Sequence, residues 1–340
     1  MKVNVESTLC EFSFLESQKH VVKMKRGNLP GLEEIEDAAE RIAGIASRTP
    51  LVESPALSRL TGRKVYLKLE CFQPIKVFKI RGAYNKISRV EEPKVVAASS
   101  GNHGIAVAYC SHLLGKKCTV VVPETAVKEK VDAIIDYGAD LVKAGRFSDE
   151  RESKAREIAD ATGSSFVHPF NDPDVIAGQG TCGLEISEQL DQFDSVLVPV
   201  GGGGLISGIS IALKSRRPET KVFGVEPAGA PKLTMALSAK KVVRIPAPSS
   251  MADGLIPSSL GELTYKACSR WVDGAFTATE EEILRATRTM TNIARIIAEP
   301  SGAAPLAPLL SKKEGLGSTV VVVVSGGNIS RDLLKETLSS

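Results

Sequence analysis

Four stretches of this chain combine residues that can do chemistry with places where an apolar run gives way to a helical pattern. Lys79 stands between Phe78 and Ile80, just ahead of Arg81-Gly82-Ala83. The usual fate of a lysine is a solvated surface position. Between two apolar neighbours it can instead be held out of water, where a lowered pKa fits it to form a Schiff base with a carbonyl. Ser99, Ser100, Gly101, Asn102, His103 and Gly104 follow an apolar run at 95–98. Backbone N–H groups at such a junction can hold an anion, although the same residues also make an ordinary capped turn. Gly201, Gly202, Gly203 and Gly204 follow a second run at 195–200. Four consecutive glycines let the backbone approach a ligand closely, and a phosphate at the next helix N-terminus is the natural one. Ser325, in Ser325-Gly326-Gly327-Asn328, follows a third run at 320–324 and is a weak signal alone.

The glycine run has a rival reading. Gly202 and Gly204 open a helix, Gly208 follows one place late, and Glu226 lies about twenty residues on, close to a dinucleotide fingerprint. On this loop alone, NAD binding stays open. Lys79 tips the balance. A lysine for an aldehyde, a glycine cradle for a phosphate and a serine for a ring nitrogen together describe a pyridoxal phosphate pocket.

The elements that must position these residues alternate along the chain. Leu32, Ile35, Ala39, Ile42 and Ile45 recur at helical steps and predict a helix that ends near Thr49-Pro50. Val-rich runs at 64–69, 94–98, 118–122, 140–142, 195–200, 221–225 and 319–324 predict strands covered on both faces. Helical patterns at 104–114, 128–137, 149–162, 180–189, 205–215 and 280–298 fill the gaps, and another helix is expected to start near Gly82. That is an α/β chain with parallel sheets.

Composition narrows the class. A length of 340 residues allows about two domains. A formal charge of only +3 argues against a reader of phosphate backbones, and 5% aromatic residues argue against a stacking platform, so no nucleic acid is expected. No apolar run approaches a membrane span, and the N-terminus lacks the apolar core of a signal peptide. Six scattered cysteines without a CxxC pair read as reduced thiols of a cytoplasmic protein, and four histidines without metal spacing make a zinc site unexpected.

Thr49-Pro50-Leu51, Lys68-Leu69-Glu70, Phe78 to Ala83, Ser99 to Gly104, Gly201 to Gly204, Ala252-Asp253-Gly254, Glu299 to Ala303 and Ser325 to Asn328 occur in one order. In that order the chain resembles the fold type II pyridoxal-phosphate enzymes, in particular the threonine/serine dehydratase and serine racemase group. The resemblance runs from about residue 31 to about 335. It implies two interlocked open parallel-sheet domains with the cofactor in the cleft between them: a large domain of 26–93 and 172–340, a small inserted domain of 94–171, and an N-terminal extension of 1–25. The implied activity is dehydration of L-threonine or L-serine to a 2-oxo acid and ammonia. Serine racemase and 3-hydroxyaspartate dehydratase are the alternatives within that chemistry. An NAD-binding oxidoreductase, or binding of the cofactor without turnover, stands outside it.

By the same resemblance Lys79 carries the cofactor and takes the Cα proton, Phe78 packs on its ring, and Asn102 bonds its hydroxyl. Gly201, Gly202, Gly203 and Gly204 hold its phosphate, and Ser325 faces its pyridine nitrogen. The amides of Ser99, Ser100, Gly101, Asn102 and His103 receive the substrate carboxylate. Ser100 lies opposite Lys79, where it can return a proton to Cα, as racemisation requires. A homodimer is implied. There are two departures. Val77 stands where the family usually has serine. Lys232 stands where an acid usually completes a divalent-cation site with Glu226 and the backbone of Ala230, so no metal is expected there. Lys232 is instead expected to supply the charge Glu226 needs. Only twelve residues follow Asn328, so no regulatory domain, and no isoleucine feedback, is expected.

Overall fold

Five valines explain the centre of the molecule: Val320 to Val324 are all completely buried, which a strand achieves only when covered on both faces. Each fully buried valine contributes roughly 1.5–3 kcal/mol. The structure, a computed structural model, describes residues 28–99, 101–126, 128–145 and 148–339. The 1–25 extension and Ser100 therefore lie outside the described residues.

The described strands are β1 (Leu51–Glu53), β2 (Lys64–Leu69), β3 (Lys94–Ala98), β4 (Lys117–Val122), β5 (Asp140–Lys143), β6 (Ser165–Phe166), β7 (Ser195–Pro199), β8 (Lys221–Pro227), β9 (Gly274–Ala278) and β10 (Thr319–Val324). They form a six-stranded sheet in the order β1-β2-β10-β7-β8-β9 and a four-stranded sheet in the order β5-β4-β3-β6. All neighbours are parallel except the β1–β2 pair at one edge. The chain leaves the larger sheet after β2, builds the whole smaller sheet, and returns at β7. This is the α/β architecture that the Val-rich runs predict.

Three strands carry no such run. β1, β6 and β9 are edge strands, two or three residues long or, in β9, built on Gly-Ala-Phe-Thr-Ala, and their pairing comes from neighbours. Helix ends also differ from the periodic pattern. The helix expected at 180–189 spans Pro173–Gln189, because Asp172 caps it by accepting from the amides of Asp174 and Val175 and Pro173 fills its first turn. The helix expected at 280–298 ends at Asn292, since Arg295 takes a φ of 60°. The helix expected near Gly82 starts at Lys79 itself.

The Lys79–Ile87 helix is pressed against Pro173–Gln189 at two glycines. A Cβ on Gly178 would lie 2.6 Å from the Arg81 oxygen, and one on Gly82 would lie 2.7 Å from the Val175 oxygen. Helix backbones in direct contact leave little freedom, and this fixes the lysine at the helix start.

Candidate active site

Three of the four candidate segments emerge at the carboxyl end of a parallel strand, the edge of a sheet where open α/β folds bind ligands. Gly201 follows β7 and Ser325 follows β10, its neighbour in the larger sheet, while Ser99 follows β3 in the smaller one.

Lys79 is joined to the Ser325 turn by backbone. The Phe78 amide donates to Ser325 O at 3.0 Å, Val77 bridges Gly326, and the Gly327 amide donates to Lys76 O at 2.8 Å. The Lys79 ammonium donates to Pro169 O at 2.8 Å and lies 5.1 Å from the centre of the Phe78 ring. Part of its surface stays open, yet the surrounding protein displaces enough water to push its pKa down to about 8. At neutral pH a fraction of it is therefore the free amine that attacks aldehydes.

The glycine loop is a cradle. Gly203 has a φ of 92°, and a Cβ on Gly202 would fall 2.1 Å from the Phe170 ring. Among the described residues, the N–H groups of Gly201 to Gly204 have no acceptor, and they stand at the start of the Gly204–Arg216 helix. The Gly202 carbonyl is fixed by the Thr264 hydroxyl at 2.7 Å. Four successive unclaimed donors at the positive end of a helix suit a phosphate.

The Ser99 to His103 loop is only partly free. The Ser99 amide donates to Val121 O in the sheet at 2.9 Å, and its hydroxyl accepts from the amides of Gly101 and Gly104 at 3.0 and 2.8 Å. The expectation that Ser99 and Gly101 offer their amides to a carboxylate is therefore corrected: Ser99 is a cap and occupies the Gly101 amide. The amides of Asn102 and His103, in the first turn of the Asn102–Leu113 helix, have no acceptor among the described residues. His103 donates through Nε2–H to Val167 O at 2.9 Å, since a carbonyl can only accept. Burial and then the Lys79 charge push its pKa down to about 3, so the ring is neutral.

Glu299 is a residue that sequence reasoning left without a role. It is almost completely buried, and its Oε1 accepts from Asn102 Nδ2 at 2.6 Å. Asn102 Oδ1 in turn accepts from Asn328 Nδ2 at 2.9 Å. Glu299 Oε2 has no hydrogen-bond partner among the described residues and lies 4.0 Å from Lys130 Nζ, which is itself paired with Asp253. Burial raises the Glu299 carboxyl to about 7, against the pull of Lys130. The signal for it was the step Glu299-Pro300 at the start of a short helix, but its meaning depends on burial, which no local pattern shows.

Glu226 is turned into the protein interior. It is completely buried and accepts from the amides of Leu233 and Thr234, so it cannot reach a ribose, and the dinucleotide reading falls with it. The residues present do fit pyridoxal phosphate: an amine of lowered pKa for the aldehyde, unclaimed amides for the phosphate, and a Ser325 hydroxyl beside the lysine segment.

Comparison with known proteins agrees. Residues 42–326 match the family model described as pyridoxal-phosphate dependent enzyme. The chain is 41% identical over 312 residues to an L-threonine ammonia-lyase of Thermotoga maritima, covering 91% of this chain and 78% of that one. It is 39% identical over 311 residues to a beta-hydroxyaspartate dehydratase of Paracoccus denitrificans, covering 90% and 98%. The structure of maize serine racemase superposes with a TM-score of 0.87 at 34% identity, covering 92% of this chain and 98% of that one. From the lysine and the glycine cradle to the shared fold, the chain belongs to the fold type II pyridoxal-phosphate-dependent enzymes.

Proposed function

We propose that the protein dehydrates and deaminates L-threonine or L-serine to a 2-oxo acid and ammonia. One observation carries the reading: the Lys79 ammonium, brought to a pKa of about 8 by burial, rests on Pro169 O, next to the Phe170 against which Gly202 and Gly204 are packed. When bound, pyridoxal phosphate supplies the electron sink that lets the Cα–H bond of an amino acid break. Lys79 would hold its aldehyde and, once displaced by the substrate amine, accept the Cα proton at Nζ. Gly201 to Gly204 would hold its phosphate through their amides, Phe78 would pack on its ring, and Ser325 would face its nitrogen. Asn102, held by Glu299 and Asn328, would direct its second amide proton at the ring hydroxyl. The amides of Asn102 and His103 would orient the substrate carboxylate.

A neutral substrate side chain is favoured by the pairing of Lys130. Its chain runs across Gly101, where a Cβ would lie 2.4 Å from Lys130 Cδ, and its charge is already matched by Asp253. Lys130 therefore has no surplus charge for a second carboxylate. The 41% identity to a threonine ammonia-lyase supports the same choice. Purified enzyme given L-threonine, L-serine or L-threo-3-hydroxyaspartate should release 2-oxo acid with a kcat/KM at least about tenfold higher for one of the first two, the discrimination expected of unmatched side-chain charge. A preference for hydroxyaspartate would overturn it.

Racemisation of serine is a second reading, favoured by Ser100 and by the likeness to serine racemase. Ser100→Ala should stop D-serine formation and spare dehydration; equal loss of both would refute its role as the opposite-face acid. We also propose that residues 94–171 form a small domain that closes on the substrate, and that the enzyme is a cytoplasmic homodimer. Phe72 and Ile297, both more than half exposed, support an interface, and sedimentation would show a monomer if this is wrong. No helix among the described residues is long and apolar enough to cross a membrane.

A further inference from the structure

Glu226 and Lys232 are both completely buried, and they face one another. Glu226 Oε1 accepts from the Thr234 amide and hydroxyl, each at 2.8 Å, and Oε2 accepts from the Leu233 amide at 2.9 Å. The Lys232 ammonium lies 3.6 Å from that Oε2 and donates to Ala230 O at 3.0 Å and to Leu255 O at 2.9 Å. Burial pushes this lysine down to about 8 against the pull of Glu226, so it is still mostly charged at neutral pH.

One carboxylate oxygen and two carbonyl oxygens converging on a single positive charge are the kind of donor set a hard divalent cation takes. Here a nitrogen fills the centre. Magnesium needs about six oxygens near 2.0–2.1 Å and calcium six to eight at about 2.3–2.6 Å. The three oxygens here stand at ammonium distances, and the lysine chain blocks the place of a further ligand. The divalent cation carried by the family resemblance therefore does not fit this chain. Among the described residues no group of three or more His, Cys, Asp or Glu is placed to hold a metal ion.

The ammonium acts on the cofactor site through Leu255. That residue ends the turn Asp253–Leu255, whose middle carbonyl walls the glycine loop: a Cβ on Gly201 would lie 2.6 Å from Gly254 O. The turn is further held by the Ser301 hydroxyl on the Gly254 amide at 3.0 Å. We infer that Lys232 is a positioning residue whose ammonium replaces a divalent cation, pinning the Asp253–Leu255 turn to the end of β8 so that the phosphate loop keeps its shape without metal. The inference rests on the assignment of Gly201 to Gly204 to the cofactor phosphate.

The test titrates pyridoxal phosphate into the full-length apoprotein, following the Schiff-base absorbance, in EDTA and then in millimolar magnesium or manganese. In the wild type neither condition should change affinity more than about twofold, within the scatter of a lost weak contact. Glu226→Gln with Lys232→Met leaves no buried charge unpaired and should fold, form its band, and bind the cofactor about tenfold more weakly, the loss typical of a removed supporting contact. Lys232→Asp should bind weakly in EDTA and recover with magnesium. Its apoprotein should melt about 3 °C higher in magnesium, as saturating metal dictates. Wild-type affinity that collapses on chelation would overturn the inference. So would a folded double variant that binds as tightly as the wild type, and that arm decides if Lys232→Asp does not fold. Gly202→Ala separates the two readings: unchanged cofactor affinity there refutes the phosphate-loop assignment. The magnesium-dependent melting of the Lys232→Asp apoprotein tests the cation replacement by itself.

Discussion

Two buried charge clusters adjoin the Lys79 segment, and they are built on opposite plans. In the first, Arg81 donates to both oxygens of Glu70 and both of Glu185, its last proton goes to Thr181, and Ser47 O shares one of the Nη2 protons. Glu70 also accepts from Thr49 and Gln73, and Lys68 is shared among Glu185, Gln189 and Thr49. No polar atom of these charged side chains is left over. In the second cluster, among the described residues, Glu299 keeps an unbonded Oε2, Asn102 a spare amide proton, and Lys130 a contact at 4.0 Å. A saturated network has nothing to offer a ligand and acts as scaffold. An unsaturated one, buried at the sheet edge, holds polar capacity that only a bound molecule can use.

The pKa values record the same contrast. Burial would raise the Glu70 carboxyl, but the Arg81 charge and its hydrogen bonds outweigh that, followed by Lys68 and Thr49, and hold it at about 2. Glu299 faces one distant cation and is raised to about 7. The largest expected effect breaks the saturated cluster. Arg81→Met leaves Glu70 buried without its cationic partner and Glu185 with Lys68 alone, and should cost about 3–5 kcal/mol in urea denaturation at pH 8. Glu299→Gln should cost nothing at that pH, because the amide keeps the bond to Asn102 and removes a buried charge. Equal losses in the two variants would erase the distinction between scaffold and site.

A pH series tests it with opposite signs. Glu299 has a folded pKa above the ordinary carboxyl value of 4.5, so its contribution is fully present below about 4.5 and is lost as pH rises through about 7. Glu70 has a folded pKa below 4.5, so its contribution is present above 4.5 and is lost as pH falls toward about 2. Stability should therefore climb as pH drops from 8 to about 5, by up to roughly 3 kcal/mol from Glu299, and then fall. In Glu299→Gln the climb should vanish and the acid fall remain. A variant curve with the same climb would place that titration elsewhere.

Much of this was readable before the fold was known, for a physical reason. Lys79, the glycine run and Ser325 carry their chemistry in residue type, and the last two sit where apolar runs stop, which is where a parallel sheet opens to ligands. Glu299 and Asn328 were visible only as letters in a motif, because an unpaired carboxyl oxygen is a property of burial. Ser99 looked like a binding amide, but the sheet takes that amide, since β3 pairs with β4 right up to the loop. Strand β9 escaped because Gly-Ala-Phe-Thr-Ala has no apolar run and is ordered by its pairing with β8.

The smallest expected effect sharpens the comparison most, because it separates stability from binding inside the unsaturated cluster. Asn328 Nδ2 donates to Asn102 Oδ1 at 2.9 Å and to Ile75 O at 3.2 Å. Asn328→Ala removes these bonds at a half-buried position, so global stability should fall by no more than about 1 kcal/mol. Asn102 would then be held from one side only, by Glu299. If its orientation serves the cofactor, pyridoxal phosphate affinity should weaken about fivefold, the equivalent of one hydrogen bond. Asn328→Asp should do worse than alanine, since a carboxylate there would face Asn102 Oδ1 without a proton to give. A loss of stability with unchanged cofactor affinity would assign Asn328, and the half of the cluster it holds, to the scaffold instead.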